Sequence, residues 1–181
     1  PLSPKTVKTI FNNEVYNFGI FDTFMINGII IFNILLLLSF LNFDLEIIFY
    51  SFLITFIFFL FLNFKDWINS LKNEKFLLIF FSVFCILLFI NLAENLKFEW
   101  DGIAHWFFKT KSFYEGYKIE NIQNLPASQY PHLGTYIWAF FWKNSLIEYE
   151  YFGRFFFIFF FILSIFLASN LFKIKNKIIY C

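Results

Sequence analysis

Hydrophobic residues gather into four long runs, over residues 24–43, 45–64, 76–92 and 152–172, and these runs are nearly free of charge. A helix needs about 20 consecutive apolar residues to cross the hydrocarbon core of a bilayer, so each run is predicted to be a membrane-spanning helix. The expected fold is therefore an all-α membrane protein, a polytopic helical bundle with about four transmembrane helices. The connection between the third and fourth runs, residues 93–151, is far too long for a simple connector, and segments of that length are usually functional or disordered.

The short polar bends carry a topology signal. Residues 42–46, between the first two runs, hold Asp44 and Glu46 and no base. Residues 65–75 hold Lys65, Lys72 and Lys75; Lys5 and Lys8 precede the first run, and Lys173, Lys175 and Lys177 follow the fourth. Short cytoplasmic loops collect Lys and Arg. These short basic segments all fall on one side of the alternating spans, which is expected to be the cytoplasm, and the 93–151 loop is then periplasmic or extracellular.

Inside that loop, Trp100, Trp106, Trp138 and Trp142 stand among many Phe and Tyr, a composition suited to interfacial helices. One helix is expected from about Trp100 to Glu115, ended by Gly116. A second is expected from Pro131, acceptable at a first helical position, to about Lys143. Residues 118–129 between them are polar and read as irregular. At 100° per residue, Asp101, His105, Phe108, Lys109 and Ser112 share one sector of the first helix. Trp106, Thr110, Phe113 and Tyr114 fall roughly opposite, which predicts one face for a polar substrate and another for lipid.

Composition narrows the function classes. The chain is 60% hydrophobic with 34 Phe and only 15% charged residues, against about a quarter charged in soluble domains. A soluble fold of this length has no core large enough for so many phenylalanines. The net charge of +1 and 14 scattered basic residues give no clustered cations for a nucleic-acid backbone. Cys85 lies in an apolar run and Cys181 at the end, so no disulfide framework is expected. A Gly-rich phosphate loop, a nucleophile elbow and an HExxH motif are all missing, which argues against soluble nucleotide-sugar chemistry. The chain opens with Pro1 and no signal-peptide pattern. It is expected to be a single membrane domain over 1–181 that forms an N-terminal or internal fragment of a larger protein.

The loop's chemistry concentrates in two strings, Trp100-Asp101-Gly102-Ile103-Ala104-His105-Trp106-Phe107-Phe108-Lys109-Thr110-Lys111 and Tyr130-Pro131-His132-Leu133-Gly134. Asp101, near a helix start, is either a general base or a helix N-cap, a position Asp favours. Glu99 either shares a carboxylate role with it or is a solvated charge beside Lys97. Asp101, His105 and His132 would make a set for a divalent cation, although the spacing matches no recognised metal signature. Arg154 interrupts an apolar run, where it either serves a ligand or snorkels to the interface. Lys109 and Lys111 either hold a phosphate or touch lipid headgroups, and they do not share a helix face.

These two strings resemble the first external loop of C-type membrane glycosyltransferases, the polytopic enzymes that use polyprenyl-phosphate sugars, such as the protein mannosyltransferase and aminoarabinose transferase groups. The resemblance covers roughly Trp100 to Arg154. It implies that Asp101 is the catalytic base, with Glu99 beside it, and that the Tyr130-Pro131 helix start helps to shape the site. His105, Lys109, Lys111, Tyr130, His132 and Arg154 are then the candidate substrate-binding residues, Arg154 occupying the place of the arginine that opens the next span in family members. Two departures bear on the branch: His132 stands where many relatives have a second proline, and three spans precede the loop where several branches have one.

The resulting expectation is a transferase that moves a sugar from a polyprenyl-phosphate donor to an acceptor hydroxyl with inversion, on the outer face of a bacterial inner membrane. Its partners would be the lipid bilayer, the lipid-linked sugar and an acceptor glycan, lipid or protein, with no nucleic acid. A non-enzymatic transporter or polysaccharide-assembly subunit is the alternative. Transporters place charges or helix breaks near the bilayer midplane, whereas the polar groups here crowd one loop.

Overall fold

The computed structural model describes residues 2–11, 18–95, 97–100, 102–125, 128–145 and 149–171. Among these residues there are helices and turns and no strand. The α-helices are α1 (Pro4–Ile10), α2 (Ile20–Phe40), α3 (Leu45–Leu62), α4 (Phe64–Asn73), α5 (Lys75–Glu94), α6 (Phe108–Tyr114), α7 (Leu133–Lys143) and α8 (Glu150–Leu171). A π-helix, Gly102–Phe107, runs directly into α6, and a 3-10 helix spans Ile119–Asn124. Four helices, α2, α3, α5 and α8, are long and apolar enough to cross a membrane, and they coincide with the four hydrophobic runs. Phe61 is 83% exposed and Phe76 72% exposed. Side chains of that size on the outside of long apolar helices need lipid around them. The protein is an all-α, multi-pass membrane bundle.

Two compact units divide the chain. The first is drawn from Pro1–Ile30, Leu53–Leu88 and Phe157–Cys181. Its aromatic core centres on Phe21, whose ring lies 5.4 Å from Phe81 and 5.0 Å from Phe166. The N-terminal N–H groups of α2, which have no partner within the helix, are met by carboxylates. Gly19 N donates to Asp22 Oδ2 (2.7 Å) and Ile20 N donates to Glu74 Oε1 (3.3 Å). Asn27, nine-tenths buried, donates to the carbonyls of Leu2 and Thr23 and accepts from Leu2 N, fastening the start of the chain to α2. Helix α1 begins where Ser3 accepts from Thr6 N and Pro4 occupies the first turn. The lysine-bearing stretch 65–75, read from sequence as a bend, contains a full helix. Phe64, Trp67, Ile68 and Leu71 repeat at helical spacing, and Trp67 stacks on Phe24 at 6.0 Å.

The second unit comprises Ile31–Phe52 and Phe89–Phe156 and contains the whole long loop. Helices α6 and α7 pack against each other, with Phe113 edge-on to Tyr136 at 5.3 Å and Tyr114 stacked on Trp142 at 4.1 Å. Six consecutive residues of α7, Thr135 to Phe140, are buried. Six in a row cover every face of a helix, so α7 is a core element of its unit. Gly153 of α8 meets α7 so closely that a Cβ added there would lie 2.7 Å from the Trp138 carbonyl oxygen. Phe140 in turn packs on Phe49 and Phe52 of α3, and Asn144 Nδ2 donates to the Leu45 carbonyl (3.4 Å). Gly116, with φ +95°, supplies the left-handed turn that stops α6.

Candidate functional site

Of the helix expected over 100–115, the described residues form Gly102–Tyr114, whose first half winds as a π-helix. Rare elsewhere, π-turns recur at functional sites because they re-aim side chains. From Phe108 on the winding is regular α, and one broad face of it is buried. Lys109, Thr110, Ser112 and Phe113, expected on two opposite sectors, are all buried, while Phe108 is exposed. Helix α6 therefore presents no separate lipid face at Thr110 and Phe113.

Lys109 ties the two motif strings together. Its side chain is 0% exposed, and Nζ donates to the backbone carbonyl of Tyr130 at 3.1 Å. Around this link the rings converge. His105 lies 5.3 Å from Trp100 and 5.5 Å from Tyr130, and Tyr130 lies 5.8 Å from Trp106. Tyr130 itself remains 43% exposed, so the cluster reaches the surface there. Helix α7 starts at Leu133, two positions later than the proline start expected from sequence, and His132 is its N-cap residue. Its carbonyl accepts from Thr135 Oγ1 and Tyr136 N, its ring stands edge-on to Phe40 at 5.7 Å, and Nε2 is buried with no hydrogen-bond partner among the described residues.

The surroundings of this cluster disfavour positive charge on its basic groups. Burial holds the Lys109 ammonium below the usual lysine range. Burial, reinforced by the nearby Lys109 charge, likewise lowers the His132 imidazole. His132 is therefore biased towards the uncharged form, which can accept a proton or a hydrogen bond at Nε2.

Of the other sequence candidates, Glu99 is exposed and its carbonyl accepts from Ile103 N at the start of the π-helix. Asp101 lies outside the described residues. Lys111 is exposed and stands 3.6 Å from Glu115 one turn on, away from the Lys109 cluster. Arg154 is held internally: Nη2 donates to Glu150 Oε2 at 2.9 Å, and Nε lies 2.9 Å from Glu150 Oε1. Its guanidinium sits over Phe98 at 4.5 Å and Trp138 at 5.7 Å, a cation–π arrangement. A lipid phosphate approaching Arg154 would have to compete with that carboxylate.

Glu150 was not singled out from sequence, although its spacing of four from Arg154 is a helical ion-pair spacing. Phe98 was also missed, and Trp138 was marked only as an interfacial aromatic; with Phe107 they form an aromatic wall, with rings 5.2–6.3 Å apart. Nothing in a linear pattern marks such long-range ring contacts. Among the described residues, no three His, Cys, Asp or Glu side chains gather in a metal-binding group. Comparison with protein-family models, curated proteins and solved structures finds no match to this chain.

Proposed function

We propose that this chain is the acceptor-activating part of a membrane glycosyltransferase that draws sugar from a polyprenyl-phosphate donor. The observation that supports the reading is the Lys109–Tyr130 link, 3.1 Å long, which brings together the two strings on which the resemblance rests. In the proposed reaction an acceptor hydroxyl attacks the anomeric carbon as the carbon–oxygen bond to the lipid phosphate breaks, with inversion. Asp101 takes the hydroxyl proton, and polyprenyl phosphate departs. General-base assistance of this kind contributes about 10²–10⁴ in rate. His105, Lys109, Tyr130 and His132 line the cluster around the Lys109–Tyr130 link, and Lys111 and Arg154, paired with Glu115 and Glu150, would leave those partners to stabilise charge on the departing phosphate. The lysines of the short bends support a topology with this unit on the outer side of the membrane, which we read as a bacterial inner membrane, with the acceptor a glycan, lipid or protein.

The test is sugar transfer by membranes that carry the full-length protein, using radiolabelled polyprenyl-phosphate sugars. Asp101→Asn is expected to abolish release of label from the lipid while membrane insertion is unchanged, and Glu99→Gln is expected to be milder. Undiminished transfer by Asp101→Asn would remove the assignment.

A further inference from the structure

The second unit contains a cavity of about 230 Å³ that the Lys109 cluster does not use. It lies between the bend after α2, the end of α6 and one face of α7. Asn42, Asp44, Glu46, Tyr117, Tyr136 and Lys143 supply its chemistry. Two of these residues bring buried polar atoms with no hydrogen-bond partner among the described residues, Tyr136 Oη and Asn42 Oδ1. Tyr136 is only 4% exposed, and burial, with a smaller effect of the Asp44 carboxylate, pushes its hydroxyl up to about 12. Buried polar atoms in native proteins are almost always satisfied, so two orphans beside one cavity point to an occupant that hydrogen-bonds. Asn42 is fixed for this by its backbone, held at φ +57°, a left-handed conformation that Asn tolerates better than most residues.

The charges around the cavity narrow the occupant. Lys143 Nζ lies 3.6 Å from Glu46, donates to the Tyr114 carbonyl at 3.1 Å and sits over the Tyr114 ring. An ammonium in that position opposes a metal cation, and the carboxylates of Asp44 and Glu46 oppose an anion. A neutral molecule rich in hydroxyls fits both. Its O–H groups would donate to the carboxylates and Asn42 Oδ1 and accept from Tyr136 and Lys143. The half-exposed ring of Tyr117 offers an apolar face. The volume falls below the roughly 300–1,000 Å³ of sites for drug-sized ligands, which limits the occupant to a single ring.

We infer that this cavity binds one neutral sugar ring through its hydroxyls, with Tyr136 and Asn42 as the buried contacts and Asp44 and Glu46 as the more exposed ones. Taking that ring as the acceptor end of the transfer rests on the proposed glycosyltransferase function; the binding itself does not. The experiment is saturation-transfer difference NMR on the full chain in lipid nanodiscs, with methyl α-glucoside, methyl α-mannoside and methyl α-galactoside as probes. At least one hexoside is expected to receive saturation, and Tyr136→Phe is expected to weaken its binding about tenfold, the scale of one lost hydrogen bond. Phe keeps the ring packing on Phe113 and removes an orphaned hydroxyl, so the fold is retained; Asp44→Asn, on the exposed bend, is the second variant. No saturation of any hexoside, or binding indifferent to both variants, overturns the inference and leaves a water-filled cavity. Failed binding in a protein whose transfer still requires Asp101 removes the sugar cavity alone. Binding that depends on Tyr136 in a protein indifferent to Asp101→Asn removes the catalytic assignment alone.

Discussion

Gly153 and Gly134 form a matched pair whose substitution by alanine should move stability in opposite directions. At Gly153 an added Cβ would meet Trp138 Cδ1 at 2.6 Å, the Trp138 carbonyl oxygen at 2.7 Å and Trp142 Cβ at 2.8 Å. Two of those three atoms are backbone or next to it, so no flexible side-chain tip can swing aside, and α7 and α8 must separate. Overpacking of this kind costs about 1–3 kcal/mol, and with every contact below 3.0 Å the upper part of that range, about 2–3 kcal/mol, applies. Alanine returns roughly 0.5–1 kcal/mol through its better helix propensity, leaving a net loss of about 1–2.5 kcal/mol. At Gly134 nothing lies within 4 Å of the added Cβ, so only the propensity gain remains. Thermal unfolding in one detergent, followed by tryptophan fluorescence, compares the two variants with the parent. On the globular-protein relation of about 2–4 °C per kcal/mol at this length, Gly153→Ala is expected to lower Tm by roughly 2–10 °C and Gly134→Ala to raise it slightly. A Gly153→Ala protein as stable as the parent would refute the close approach of α7 and α8.

Glu150→Gln is expected to destabilise the chain by roughly 1–3 kcal/mol, between the values for exposed and fully buried pairs, because it leaves the Arg154 guanidinium under Phe98 and Trp138 with one charge uncompensated. The double variant Glu150→Gln with Arg154→Met should lose less than the single one; the same unfolding assay reads both, and additive losses would deny the coupling. The folded His132 takes up its proton at lower pH than the unfolded chain does. As pH falls below about 6.5, the unfolded state gains a proton that the folded state refuses, and stability should decline until the folded imidazole also titrates. His132→Gln should flatten that acid-side decline in an unfolding series from pH 7.5 to 5, and an unchanged slope would remove His132 as its source.

The four spans were legible because hydrophobic length decides membrane insertion almost by itself, and each helix begins and ends within a few residues of its run. Helix α4 was not, because three lysines and two carboxylates in residues 64–75 read as a polar bend, whereas Phe64, Trp67, Ile68 and Leu71 give it a continuous apolar stripe. In the loop, sequence located both helices and the break at Gly116. The wheel's two sectors failed on α6 because they were adjacent and not opposed: at 100° per residue Ser112, Lys109, Phe113 and Thr110 span roughly 160° of a regular α-helix, and one broad buried face takes in all four. Lys109 was picked for its charge, yet its link to Tyr130 joins positions 21 apart, a pairing that no local pattern encodes. Residues 42–46 were read only as a topology marker, since orphaned atoms such as Tyr136 Oη become visible only once packing is known.

The Lys109–Tyr130 link also bears on how this loop can vary. Once its two ends are pinned, the stretch through the 3-10 helix Ile119–Asn124 behaves as a tab hung from a closed clasp. Lengthening such a tab costs little, about 0.6 kcal/mol for each doubling, and leaves the clasp where it is. An epitope or a reactive tag is therefore best placed among Glu120 to Asn124, where it would report on the loop's side of the membrane without disturbing the aromatic cluster.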